Sequence, residues 1–142
     1  MDTYTFENDL TVYCLTATSF PAGVAEVYNK LHATYPPGNG RTYFGISWPD
    51  GKGALKYKAA VSLAETDDAP SEAFTPFVIK KGNYLSEDIH NFMADVQSIG
   101  RLFQKMIQDP SIEPNGYCLE MYLNPNDVRC MVKLADRYTG RL

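Results

Sequence analysis

With 142 residues, 44% of them hydrophobic, the chain can bury one good core and is too short for two independent ones. A net charge of -4, with Lys and Arg scattered singly or in pairs such as Lys80-Lys81, leaves no basic stripe to neutralise a run of phosphates, so no direct nucleic-acid partner is expected. A polar, acidic start (Met1-Asp2-Thr3-Tyr4), no apolar run of membrane-spanning length, and three cysteines (Cys14, Cys118, Cys130) without paired spacing point to a soluble, unsecreted protein of the reducing cytoplasm.

In chain order, residues 10 to 16 are rich in β-branched and aromatic types and predict a strand. Ser19 can cap a helix with Pro21 just inside it; Val24, Val27, Tyr28, Leu31 and Tyr35 follow at helical spacing, and Pro36-Pro37-Gly38 stops it. Two strands are expected at about 42 to 48 and 54 to 63, split by the turn Pro49-Asp50-Gly51-Lys52-Gly53. The acidic stretch Glu65 to Glu72, with Asp67, Asp68 and Pro70, has linker composition. Phe74 to Lys80 then predicts a strand, and Ser86 a cap for a long helix with Glu87 and Asp88 in its first turn. Its apolar stripe runs through Ile89, Phe92, Met93, Val96, Ile99, Phe103, Met106 and Ile107, and Asp109-Pro110 ends it. Two last strands, about 117 to 123 and 127 to 135, flank the turn Asn124-Pro125-Asn126-Asp127.

The order strand, helix, strand, strand thus occurs twice, over about 8–64 and 73–136. Tyr43 to Asp50 also lies 74 positions before Tyr117 to Asn124, with Tyr matching Tyr, Trp matching Tyr and Asp matching Asn. The expected fold is a single α+β domain of two similar halves, with antiparallel sheets, helices on one side and a central ligand cleft.

Side chains alternate along a strand, so Tyr117, Leu119, Met121 and Leu123 share one face and Cys118, Glu120 and Tyr122 the other. The more apolar first set is expected under the helices, which leaves a carboxylate beside an aromatic ring on the opposite face. The equivalent face of the first half holds Phe44, Ile46 and Trp48. Ring faces attract cations, and a partly desolvated carboxylate completes the match to a cationic or amphipathic ligand; the same surroundings would raise the Glu120 pKa and suit it to proton transfer. Two plainer readings stay open: Glu120 exposed and paired with Arg129 or Lys133, and Phe44 and Trp48 as core. Tyr57 falls beside Ile46 if the first hairpin turns symmetrically about Gly51, and one register slip reverses that. His32 and His90 stand without partners at metal spacing, and no Gly-rich loop sits between a strand and a helix, so neither metal nor nucleotide cofactor is expected. The cysteines suit small buried apolar positions.

Lys81-Gly82-Asn83-Tyr84, and Tyr117 through Glu120-Met121-Tyr122 to Asn124-Pro125, resemble the GyrI-like family, also called the AraC effector-binding domain, over about residues 8 to 136. In that family a Gly-x-Tyr element precedes the second helix, and a Glu-x-Tyr strand with a following Asn or Asp and Pro closes the domain. The resemblance implies a pseudo-twofold domain that binds hydrophobic, often cationic molecules through a glutamate, here Glu120, with Tyr122 as the adjacent aromatic. Family members include effector domains, gyrase inhibitors and free-standing proteins, and some relatives hydrolyse strained electrophiles. This chain has no room for a helix-turn-helix, and Lys80-Lys81 replaces the usual residues before Gly82. The leading expectation is a stand-alone, non-enzymatic small-molecule-binding module, a regulator or drug-sequestering protein, using Glu120, Tyr122, Cys118, Phe44, Ile46, Trp48 and Tyr57. The alternatives are a hydrolase in which Glu120 activates water and Tyr122 or Tyr57 assists, and a protein-partner role for the acidic segment around Asp67 and Asp68.

Overall fold

A computed structural model describes residues 1–38, 40–49, 51, 52, 55–64, 67 and 72–135. Along the chain run β1 (Asp2–Phe6), β2 (Leu10–Thr16), α1 (Val24–Thr34), β3 (Thr42–Pro49), β4 (Leu55–Ser62), β5 (Thr75–Ile79), β6 (Gly82–Ile89), a single 3-10 turn (Phe92–Ala94), α2 (Gln97–Met106), β7 (Cys118–Tyr122) and β8 (Val128–Lys133). The α+β class and the antiparallel strand pairing agree with the expectation. The chain divides into two compact units, Leu10–Ile79 and Met1–Asp9 with the chain from Lys80 onward.

In the unit Leu10–Ile79 the strands lie in the order β5-β2-β4-β3. Val27, Leu31 and Tyr35 of α1 and its C-cap pack with Tyr57, Ala59, Val61 and Phe74, with Tyr13, Leu15 and Tyr43 at the margin. Directly opposed residues share a face, so this is the face of Tyr13, Val61 and Tyr43, which are paired in register. Val12, Cys14, Phe44, Ile46 and Ala60 point the other way and are also fully buried. Both faces of these strands are therefore interior, which is why apolar residues such as Ala59-Ala60-Val61 run on without polar alternation.

Helix α1 begins later than Ser19 implies. Residues 20–23 form a turn in which the Gly23 amide donates to Ser19 O at 3.1 Å, and a Cβ on Gly23 would sit 2.8 Å from that oxygen, so glycine is required by the close approach. The helix ends where Pro36-Pro37-Gly38 predicts. The carbonyls just past it find partners: the Tyr43 hydroxyl donates to Tyr35 O, at the C-cap, and the Arg41 guanidinium to Pro36 O at 2.5 Å. Arg41 also grips Asp67 with two donors, and Asp67 accepts the Ala64 amide at 2.6 Å. Asp67 is thus not part of a solvated linker; its carboxylate closes an internal buckle. Glu65, Thr66 and Asp68 through Ser71, like Asp50 and Gly53 of the expected turn, lie outside the described residues.

The second unit repeats the connectivity with the order β1-β6-β8-β7. In each unit a hairpin (β3–β4 or β7–β8) follows the helix, and its second strand returns beside the strand before the helix (β2 or β6), whose other edge takes an extra strand (β5 or β1). Here the long predicted helix needs correction. Ser86, Glu87 and Asp88 are in β6, with Ser86 opposite Met131, and α2 begins only at Gln97. Strand pairing on both sides of β6 outweighs the local capping signal, and Met93 and Val96, counted into the helical stripe, are exposed. The residues at 74–80 do form a strand, β5, but it pairs with β2, so β6 and not β5 opens the second series. Strand β1 has no counterpart among the strands expected from the sequence.

Leu102, Phe103 and Met106 of α2 pack with Phe92 and with Val128, Cys130 and Val132 of β8. The opposite face carries Tyr84, Met131 and Leu119, all buried, and Asp88 facing Arg129 in a two-pronged pair at 2.7 and 3.0 Å, with the Tyr4 ring 5.1 Å from the guanidinium. The Tyr84 hydroxyl donates to Lys80 O and lies 2.7 Å from the Tyr117 hydroxyl, which accepts the Lys80 amide. Burial and this phenol contact hold the Tyr84 proton far above the ordinary tyrosine range.

The Arg41–Asp67 buckle gives a first expectation. The Arg41 hydrogen bonds, ahead of burial, which opposes them, hold the Asp67 carboxyl below its ordinary value near 3.8. Its stabilisation is complete above that value and is lost as pH falls through the lower folded one. Asp67→Asn lowers the melting temperature at neutral pH, and the gap from wild type closes in acid. A gap independent of pH would show that the ion pair is not its source.

Candidate functional site

The β7–β8 register sets the geometry. Glu120 lies opposite Cys130, Cys118 opposite Val132 and Tyr122 opposite Val128. Since Val128, Cys130 and Val132 face α2, so do Cys118, Glu120 and Tyr122. The expected facing is inverted: Leu119 and Met121, predicted beneath the helix, point away from it. Each alternating set of β7 has buried members, Leu119 and Met121 on one face and Glu120 on the other, so the relative apolarity of its two faces carries no information about which one the helix covers.

Glu120 is 7% exposed, and the Tyr122 hydroxyl, two residues on along the same face, donates to its Oε1 at 2.5 Å. The Tyr122 ring in turn leans on Phe92, with centroids 5.6 Å apart. A carboxylate taken from water into aromatic and aliphatic surroundings needs donors or a counter-charge, and a ring beside it favours a cation. Its charge is felt by the neighbouring thiols. Burial first, and Glu120 second, push Cys118 up to about 11, and the same two causes raise Cys130 further. Both thiols are protonated at neutral pH, which makes them poor nucleophiles.

The remaining predicted residues fall in the unit Leu10–Ile79, in two places. Phe44 and Ile46 point away from α1 and are 1% and 0% exposed. Trp48 shares their face and is half-buried, with the Lys58 ammonium 5.5 Å from its ring centroid and 5.9 Å from that of Phe77. The cation over Trp48 is the chain's own. Tyr57 does not fall beside Ile46: Ile46 pairs with Lys58, and Tyr57 pairs with Ser47 on the α1 face. There its hydroxyl is 2.7 Å from that of Tyr28, which donates to Phe44 O, and its ring meets the exposed Phe20. The structure therefore brings Glu120, Tyr122 and Cys118 together with Phe92, which sequence reasoning saw only as one residue of a helical stripe. A single aromatic in such a stripe carries no signal of a site; Phe92 reaches Tyr122 because the chain leaves β6 in a left-handed turn at Asn91.

Among the described residues no group of three or more His, Cys, Asp or Glu is placed to hold a metal, and no helix is long and apolar enough to cross a membrane. No protein-family model and no curated protein matches the chain in sequence. The fold is similar to that of a solved integron cassette protein from the mobile metagenome of Vibrio cholerae, with a TM-score of 0.67 at 16% identity, over 94% of this chain and 95% of that one. The likeness shows the class of fold, an antiparallel α+β arrangement.

The thiols report on the site. Glu120→Gln removes the second cause of the Cys118 shift, so the Cys118 pKa falls and its alkylation by iodoacetamide in mildly alkaline buffer speeds up, while Cys14, raised by burial and lowered by Lys58, keeps its rate. Equal Cys118 rates in the two proteins, followed by peptide mass spectrometry, would count against a charged Glu120 on this face.

Proposed function

We propose that this chain is a small-molecule-binding module that takes an amphipathic, cationic aromatic ligand at Glu120. The observation that carries the reading is a carboxylate more than nine-tenths buried, bonded to a tyrosine hydroxyl and set among the Tyr122 and Phe92 rings. A cation seated there replaces lost hydration with a charge pair and ring faces, and its apolar body adds hydrophobic burial. The resemblance to GyrI-like effector-binding domains, in which a Glu-x-Tyr strand supplies the ligand's counter-charge, supports the same assignment for Glu120 and Tyr122, and a regulatory or drug-sequestering role in the cytoplasm. Tyr57, Trp48, Phe44 and Ile46 serve mainly as framework in this reading.

One observation favours a second reading. The Tyr122–Glu120 hydrogen bond joins a proton acceptor to a hydroxyl, the pair a hydrolase of strained electrophiles needs to draw a proton from water and to steady the opening ring. A protein-partner role finds less support, because Asp67 is engaged by Arg41.

N-methylacridinium and neutral acridine at pH 8 share a shape and differ in charge, which makes them the discriminating pair. A ligand at a hundred times its Kd stabilises the fold by about 2.7 kcal/mol. N-methylacridinium is expected to raise the melting temperature of wild type well above the rise given by acridine, and Glu120→Gln to weaken its binding at least about tenfold, or about 1.4 kcal/mol. Equal shifts from both compounds, or none, would remove the cation-binding assignment. Glu120-dependent turnover of an epoxide would move the assignment to the hydrolase.

A further inference from the structure

Asp127 immediately precedes β8, at the turn end of the hairpin beside the Tyr122–Val128 pair, and its carboxylate holds two segments at once. Oδ2 accepts the Asn124 side-chain amide at 2.9 Å, within the β7–β8 turn. Oδ1 accepts the backbone amide of Asn91 at 3.1 Å and lies 3.4 Å from His90 Nδ1, which reaches across to the segment between β6 and α2. The turn itself is closed without that carboxylate: Asn124 Oδ1 accepts the amides of Asn126 and Asp127 at 2.8 and 2.9 Å, and Leu123 N donates to Asp127 O at 3.0 Å. The bond to Asn91 therefore serves the other segment. Asn91 has φ 51°, a left-handed conformation that a non-glycine residue keeps only when its surroundings hold it. The next amide, Phe92 N, donates to Asn126 O at 2.9 Å, and the Phe92 ring lies against Tyr122, whose hydroxyl serves Glu120.

We infer that Asp127 is the positioning residue of the ligand site: by tying the β7–β8 turn to Asn91 it fixes Phe92 against Tyr122 and so sets the aromatic wall beside Glu120. This rests on the reading of Glu120 as ligand anchor, but its geometric half is independent of any ligand. The donors on both oxygens, Asn124 first and Asn91 next, hold the Asp127 carboxyl below the usual carboxylate range, so it is a charged acceptor at neutral pH.

The test compares wild type, Asp127→Ala and Asp127→Asn, which keeps an oxygen for the Asn91 amide. Asp88→Asn loosens the same unit from the opposite face as a control. Two readouts are taken: the nuclear Overhauser contact between the Phe92 and Tyr122 rings in the free protein, and N-methylacridinium affinity. Asp127→Ala is expected to lose the ring contact and about tenfold in affinity. Asp127→Asn should keep the contact and stay within about threefold of wild type, and Asp88→Asn should leave both readouts unchanged. Should Asp127→Ala not fold, Asp127→Ser, whose shorter side chain does not span to Asn91, makes the same comparison. Persistence of the ring contact in the alanine or serine variant overturns the inference, and so does an affinity loss in Asp88→Asn equal to that in Asp127→Ala. If wild type binds no N-methylacridinium, the Glu120 assignment fails, while the ring contact still decides whether Asp127 positions Phe92.

Discussion

The register of the β7–β8 hairpin is the constraint on which the candidate site depends. With Glu120 opposite Cys130, the short strand from Cys118 to Tyr122 turns its thiol, carboxylate and phenol toward α2, and Leu119 and Met121 toward the other buried face. Side chains alternate with a period of two, so a slip of one residue would exchange the sets and put two apolar side chains where the carboxylate now sits. The Asn124–Asp127 turn, which joins the two strands, holds that register, and β8 is itself paired with β6 on its other edge.

The two units apply one plan with different chemistry. Each sets a helix on one face of four antiparallel strands and buries the other face as well, so every strand of the hairpins must be compatible with an apolar environment on both sides. Polar groups inside such a structure are tolerated only when bonded. In the unit Leu10–Ile79 this is done by phenols and a guanidinium acting on backbone carbonyls: Tyr43 on Tyr35 O, Arg41 on Pro36 O, Tyr28 on Phe44 O. In the other unit the corresponding face of the hairpin holds Glu120, with Tyr122 as a donor. Two cationic side chains have partners of their own, Lys58 over Trp48 and Phe77 and Arg129 on Asp88.

Positions in a local pattern mislead when tertiary pairing competes with them. Ser86-Glu87-Asp88 has the composition of a helix start, yet β1 and β8 claim β6 from both edges, and six register pairs to β8 outweigh one cap. The 74-residue offset between Tyr43 and Tyr117 fails for a related reason. Tyr43 lies on the α1 face, while Tyr117 alternates with Cys118 and so points with Leu119, away from α2; matching faces needs an odd offset. The recurrence of strand, helix, strand, strand survives that shift, because it follows from segment order and not from individual residues.

By itself the amino-acid sequence determined the class of fold, the hairpin turns at Asn124–Asp127, the end of α1 at Pro36, and the pairing in one alternating set of Glu120 with Tyr122 and Cys118. These follow from chain-local facts: turn chemistry, a missing amide at proline, and the period of two along a strand. Only the tertiary structure decided which face α2 covers, that Tyr57 opposes Ser47 and not Ile46, that Asp67 is locked to Arg41, and that Phe92 stands beside Tyr122. Each of these depends on register or on contacts between residues far apart in the chain, and when both faces of a strand are apolar, hydrophobicity no longer distinguishes inside from outside.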